Sequence, residues 1–202
     1  MTSLKQLLSQ ISQCQLCKNQ LPLAPRPILQ CNVNSKILIA GQAPGVVTHE
    51  KLRPFDDKSG ERLRTWLGVD KTIFYNEELL AIVPMGFCYP GKGKSGDLPP
   101  IPLCEKTWRA PLLAKLPQIE LTILVGKYAI DWHLANLAGE SPLLKYKNIT
   151  DVVKHYQVLL QQHTIALPHP SPRNNLWLKK NPWFEQDVIP LLQQRVASIL
   201  TK

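Results

Sequence analysis

No stretch of this 202-residue chain is apolar for long enough to cross a bilayer. Its first residues, Met1-Thr2-Ser3-Leu4-Lys5-Gln6, lack the basic segment and apolar core of a secretion signal, so a cytoplasmic location is expected. Five cysteines in a chain of that location do not make a disulfide framework. There is no internal repeat and no low-complexity segment, which excludes a solenoid and a disordered tail. Acidic residues are scarce. Fifteen Asp and Glu face twenty-four Lys and Arg, for a net charge of +9. That excess points to a polyanionic partner, nucleic acid before an anionic membrane.

What is present describes a globular protein. Hydrophobic residues make up 44% and charged residues 19%. The length suits one well-filled core, so residues 1–202 are expected to form a single domain, and a monomer is expected. Eighteen prolines cluster between periodic apolar segments, which indicates stiff loops.

Leu4, Leu7, Leu8 and Ile11 share one face of a helix over 3–13 that Ser3 can cap. Residues 18–34 read as a loop. Lys36-Ile37-Leu38-Ile39-Ala40 reads as a buried strand, and 46–57 as a loop. A helix is expected over 58–67, a short strand over 73–75 and a sheet strand over 79–85. The Gly- and Pro-rich stretch 87–103 is a long loop of the kind that carries function. Helices follow over 105–116, begun or broken by Pro111, and over 127–137. A closing helix is expected over 181–200, kinked at Pro190. Strands are expected at 121–125 and 164–167, and 148–155 has no clear pattern. Strands alternating with helices imply an α/β fold: a three-layer α/β/α sandwich around a mostly parallel four-stranded sheet.

The first strand ends in Gly41-Gln42-Ala43-Pro44-Gly45. An apolar run that stops at such a turn brings its backbone round sharply at the carboxyl end of a strand, where open α/β sheets bind their ligands. The strand at 164–167 likewise ends in Pro168-His169-Pro170-Ser171-Pro172, which holds His169 between two prolines. Cys14-x-x-Cys17 can place two thiolates on one metal. Cys88 and Cys104, with fifteen residues between them, bracket the Gly/Pro-rich loop. Four thiolates suit tetrahedral zinc or a cubane iron–sulfur cluster. Cys31 is left over and reads as a small core or loop residue.

In order, Cys14-x-x-Cys17, the 34–45 segment, Arg53-Pro54-Phe55, Cys88, Cys104 and His169-Pro170-Ser171 resemble the uracil-DNA glycosylase superfamily. They look closest to its iron–sulfur family 4 branch. The resemblance implies a [4Fe–4S] cluster on Cys14, Cys17, Cys88 and Cys104. It implies DNA carrying a damaged base as the partner, with no membrane partner. It also implies hydrolysis of the bond between a flipped base and its deoxyribose.

By the same resemblance Phe55 stacks on the base and His169 donates a hydrogen bond to the departing base anion. The amides of Gln42 and Ala43 contact base or water, and Gln42 lies by the attacking water. His49 is a spare proton acceptor. The 169–177 stretch resembles a minor-groove loop. In it Ser171 binds a phosphate, Arg173 approaches the backbone and Leu176 is a wedge. Lys92 and Lys94 form a second phosphate-contacting candidate, and Lys179 and Lys180 extend the basic surface. With no lysine in either motif, a monofunctional mechanism is expected.

Two departures from the family pattern stand out. Gln42 occupies the place of a Glu, and amides cannot take up a proton. Pro84 occupies the place of an Asn that reads the pyrimidine edge, and Asn76 lies too far upstream to replace it.

Overall fold

The computed structural model describes residues 2–94, 96–136, 146 and 148–201. The chain opens with helix α1 (Leu4–Ser12), started by a capping box in which Ser3 and Gln6 bond reciprocally. Strand β1 (Ile37–Ala40) follows, then α2 (Val46–Lys51), α3 (Lys58–Leu67), α4 (Lys71–Phe74) and strand β2 (Leu80–Ile82). Helices α5 (Pro102–Cys104) and α6 (Ala110–Leu113) are joined by a π-helical turn, Glu105–Arg109. Strand β3 (Leu121–Val125), α7 (Lys127–Ala135), α8 (Ile149–Lys154), α9 (Tyr156–Gln161) and strand β4 (Thr164–Leu167) come next. Helices α10 (Asn175–Lys180) and α11 (Ile189–Leu200) close the chain.

The four strands form one all-parallel sheet in the order β2-β1-β3-β4. Both faces are covered, as the near-continuous apolar strands require. Ile37 and Ile39 of β1, with Ile123 of β3 and Ile165 of β4, point to one side. There they pack against Leu63 and Trp66 of α3 and Leu192 and Val196 of α11. Alternate positions point to the other side. Ala40, Leu124 and Ala166 meet Ala129 and Ile130 of α7, and Leu38 and Ala81 meet Leu7 and Ile11 of α1 and Leu112 of α6. The expected three-layer α/β arrangement is therefore the one observed.

Several local expectations are corrected. Residues 46–51 are a helix rather than loop. Its Gly45 N-cap is extended and Leu52 closes it in the left-handed region, a unit too short to show periodicity. Residues 71–74 are also helical. The Asp70 carboxylate accepts from the Ile73 amide at 2.8 Å, and this cap overrides the strand preference of Ile73 and Phe74. Strand β2 ends at Ile82, two residues before Pro84, which has no N–H to pair. Helix α9 and helix α10 are additional elements, and Asn148 caps α8. The helix expected over 127–137 runs to Ala135, and Leu137 lies outside the described residues.

Pro111 and Pro190 act alike. Each is the second residue of an α-helix that directly follows a π-helical turn, Glu105–Arg109 before the first and Phe184–Val188 before the second. Proline cannot donate to the i−4 carbonyl and its ring crowds that oxygen; the wider turn relieves the crowding without ending the helix.

Candidate active site

Strand β1 connects onward to β2 on one side, and β3 connects onward to β4 on the other. The carboxyl ends of β1 and β3 therefore flank the topological switch point, where parallel α/β sheets open a crevice. A cleft of about 440 Å³ lies there. The 41–45 turn, Phe55, Pro84, His169, Ser171 and Arg173 line it together. Residues 128 positions apart in sequence thus share one wall-to-wall space because each follows the carboxyl end of a strand or packs on the turn there.

The turn is fixed by backbone bonds to the segment after β2. The Met85 amide donates to the Gly41 carbonyl at 2.8 Å and the Gly86 amide to the Gln42 carbonyl at 3.0 Å. The Gln42 side chain donates through Nε2 to the Leu98 carbonyl at 2.9 Å, which ties the turn to the 87–103 loop.

Phe55 adopts φ of 54°, an uncommon conformation for an aromatic residue, and is held there from several sides. Its carbonyl accepts from Arg64 Nη1 at 3.2 Å. Its ring meets Phe74 edge-on, with centroids 6.3 Å apart, and the Cβ position of Gly41 is 3.5 Å from its ring edge. Tyr75 steadies the preceding residue through a 3.1 Å bond to the Pro54 carbonyl. The ring is half-buried and presents to the cleft.

His169 packs over Gly126, the first residue past β3, whose Cβ position is 3.8 Å from the His169 Cβ. Burial lowers its pKa; Asp57 and Asp97 act in the opposite direction and Arg173 adds to the lowering. The net effect keeps the imidazole neutral at neutral pH. The loop that follows is braced. Asn174 Nδ2 donates to the His169 carbonyl at 2.7 Å, Arg62 Nη1 donates to the Ser171 carbonyl at 3.1 Å, and Arg62 Nη2 donates to Asn175 Oδ1 at 2.8 Å.

Pro84 does line the cleft, and its surroundings were not legible in the sequence. Arg109, fully buried, donates through Nη1 to the carbonyls of Val83 and Pro84 at 3.2 and 3.0 Å. Its Nη2 donates to His133 Nε2 at 2.6 Å. Arginine can only donate, so that ring nitrogen is unprotonated. Burial and the adjacent guanidinium lower the His133 pKa to about 3. The amides of Val83, Met85 and Gly86 are used on the Ile39, Gly41 and Gln42 carbonyls. This wall therefore has no side-chain or N–H donor for a base edge.

Leu176 is 70% exposed on α10, just beyond the braced loop. Lys92 and Lys94 are exposed, and Lys92 and Asp97 form an antiparallel bridge. Gly96, beside that bridge, approaches the loop after β4: Arg173 Nη1 lies 2.7 Å from its Cβ position. His49 is displaced from the role considered for it. It is buried on α2 beside Tyr89, and its neighbour Thr48 lines the cleft instead. Asn76 is exposed ahead of β2, at the opposite end of the strands, where its side-chain Oδ1 accepts from the Glu78 amide. Two cleft carboxylates escaped the sequence reading: Asp57 and Asp97. The first was signalled by its N-cap position before 58–67, where it accepts from the Gly60 amide.

The cysteines differ in burial. Cys31 is buried among Leu7, Ile11 and Leu38, and burial raises its pKa to about 12. The other four are partly exposed. Burial raises Cys104 to about 12 and Cys88 to about 11, and in each case Cys14 and Cys17 push the same way. No group of three His, Cys, Asp or Glu side chains among the described residues is set to hold a metal ion as it stands. The donor chemistry nevertheless suits one. The Phe87 amide donates to Cys104 Sγ and the Trp108 indole to Cys14 Sγ, each at 3.4 Å, and such donors stabilise sulfur ligands that carry negative charge.

An all-parallel α/β sheet with a polar cleft at its switch point defines a ligand-binding or catalytic α/β protein. The comparison with known families narrows this. The family model of the uracil DNA glycosylase superfamily matches residues 29–193, and the chain belongs to that superfamily. The matched span contains all the cleft residues named above. Among the described residues no helix is long and apolar enough to cross a membrane.

Proposed function

We propose that the protein is a monofunctional DNA glycosylase of the family 4 type. It hydrolyses the N-glycosidic bond of a flipped uracil or related deaminated base. The observation that carries this reading is the meeting of Phe55, the 41–45 turn and His169 in one cleft of a superfamily member. A flipped base needs a π face, and Phe55 offers one. The departing base takes the bonding electrons, and a neutral imidazole donates a hydrogen bond that strengthens as that charge grows. Ser171 and Arg173 bind the phosphates flanking the site, Leu176 wedges the gap left in the stack, and Lys92 and Lys94 add a second phosphate contact.

Cys14, Cys17, Cys88 and Cys104 would hold a [4Fe–4S] cluster, which supplies a structural clip and takes no part in the cleavage. It would join the end of α1 to both ends of the 87–103 loop.

A second reading has its own support. With Gln42 at the carboxylate position and Pro84 at the base-reading position, the protein would bind damaged DNA with little or no cleavage. A single panel separates the two. Single- and double-stranded oligonucleotides carrying uracil, hypoxanthine, xanthine or a thymine mismatch are incubated with the protein and treated with alkali. Scission of at least one supports the glycosylase, and scission of none supports the binding protein.

A further inference from the structure

The cleft contains a carboxylate that neither motif supplies. Asp97 lines the space beside the 41–45 turn, and its Oδ2 lies 3.2 Å from the Cβ position of Gly45. Asp97 and its neighbour Leu98 are tied on both sides. Leu98 donates to the Gly91 carbonyl at 2.8 Å, Asp97 bridges to Lys92, and the Leu98 carbonyl holds the Gln42 side chain. Asp97 and Gln42 are therefore placed by the same few residues.

We propose that Asp97 is a catalytic residue that stands in for the carboxylate absent from the turn. It holds the attacking water and takes its proton. The inference rests on the glycosylase reading above. In the step, the C1′–N bond breaks and its electron pair leaves with the base, which lies against His169. A lone pair of the water forms the C1′–O bond. One water proton passes to the Asp97 carboxylate and from there to solvent, and the departed base anion takes a proton from solvent. The products are the free base and a sugar with a 1′-hydroxyl.

Three observations support Asp97. Gln42 has its amide nitrogen engaged and cannot accept a proton. Asp57 also faces the cleft, but its Oδ1 is engaged as the cap of α3, accepting from the Gly60 amide at 2.9 Å. The third is charge. In a protein of net charge +9 with a cleft rimmed by Arg173, an anionic group opposes phosphate binding. It favours a positive charge, and the deoxyribosyl cation is the one positive species the cleavage forms. Asp97 also acts on His169 in the direction expected of a carboxylate facing the same space.

The test uses the full-length protein and two duplexes, one with a cationic pyrrolidine abasic analogue and one with a neutral tetrahydrofuran analogue. Wild type should prefer the cationic duplex by about tenfold or more. Asp97→Asn should lose that preference while binding the neutral duplex at least as well. Its single-turnover cleavage of the panel's best substrate should fall by about 10²-fold or more. Asp57→Asn, which retains a capping side chain, should keep the preference. Retention of preference and rate by Asp97→Asn, absence of any preference in wild type, or loss of preference in Asp57→Asn alone overturns Asp97 and leaves the glycosylase reading standing. Wild type that binds neither duplex, or binds them and cuts no substrate, overturns the glycosylase reading and this proposal with it.

Discussion

Gly60 lies so close under Phe55 that a Cβ on it would stand 1.7 Å from the Phe55 carbonyl oxygen. Helix α3 therefore starts directly beneath the residue offered as the stacking face, and Arg64, one turn along, donates to the same carbonyl. Gly60→Ala must displace Phe55 or the first turn of α3. The overpacking cost is about 1–3 kcal/mol. A lowered Tm together with weakened cleavage is expected, and differential scanning calorimetry beside a single-turnover assay checks both.

His169→Ala should leave affinity for duplex DNA nearly unchanged and lower the cleavage rate by about 10²–10³-fold. Because burial depresses its pKa, the neutral donor persists below the usual histidine range. Cleavage that depends on it should be sustained on the acid side of pH 6.5 and fall only as pH drops through the depressed value. Unchanged turnover in the variant would remove His169 from the mechanism.

Purified anaerobically, the protein should be brown and carry about four irons with matching sulfide. Cys88→Ala should lose most of the iron, whereas Cys31→Ala should keep it, since that thiol sits in the core. A colourless protein with one zinc would exclude the cluster.

DNA affinity should fall steeply as salt rises, because each phosphate neutralised by Lys or Arg releases counterions. Arg173→Ala should reduce the slope of log affinity against log salt by about one. Fluorescence anisotropy at several salt concentrations measures it, and a flat response would argue against a phosphate-tracking surface.

His133 should make the fold acid-sensitive. Its pKa is about 3 when folded, against an ordinary value of 6.5, so the unfolded chain binds more protons between those limits. The stability this gives is fully present above pH 6.5 and is lost as pH falls toward 3, at up to about 1.4 kcal/mol per pH unit. Urea midpoints of wild type and His133→Gln between pH 7 and 4 should show a shallower decline in the variant.

Much of the layout was legible in the sequence. Apolar runs bounded by Gly and Pro mark β1, β3 and β4, because a buried parallel strand needs apolar residues on both faces and a sharp turn at its end. Cys31 reads as a small core or loop residue and is buried in the core. Short helices such as α2 and α4 were not legible, since one or two turns carry no periodicity and their caps decide them. The strand order was not legible either, because nothing local states which strands will be neighbours. That order decided the site. It brings the ends of β1 and β4 to one cleft, draws the Gly/Pro-rich loop across it and places Asp97 beside Gly45. Local sequence determined which turns were sharp and which residues they carried. Only the packing of distant segments decided that Asp97, 52 residues further along the chain than Gly45, lies beside it in the cleft.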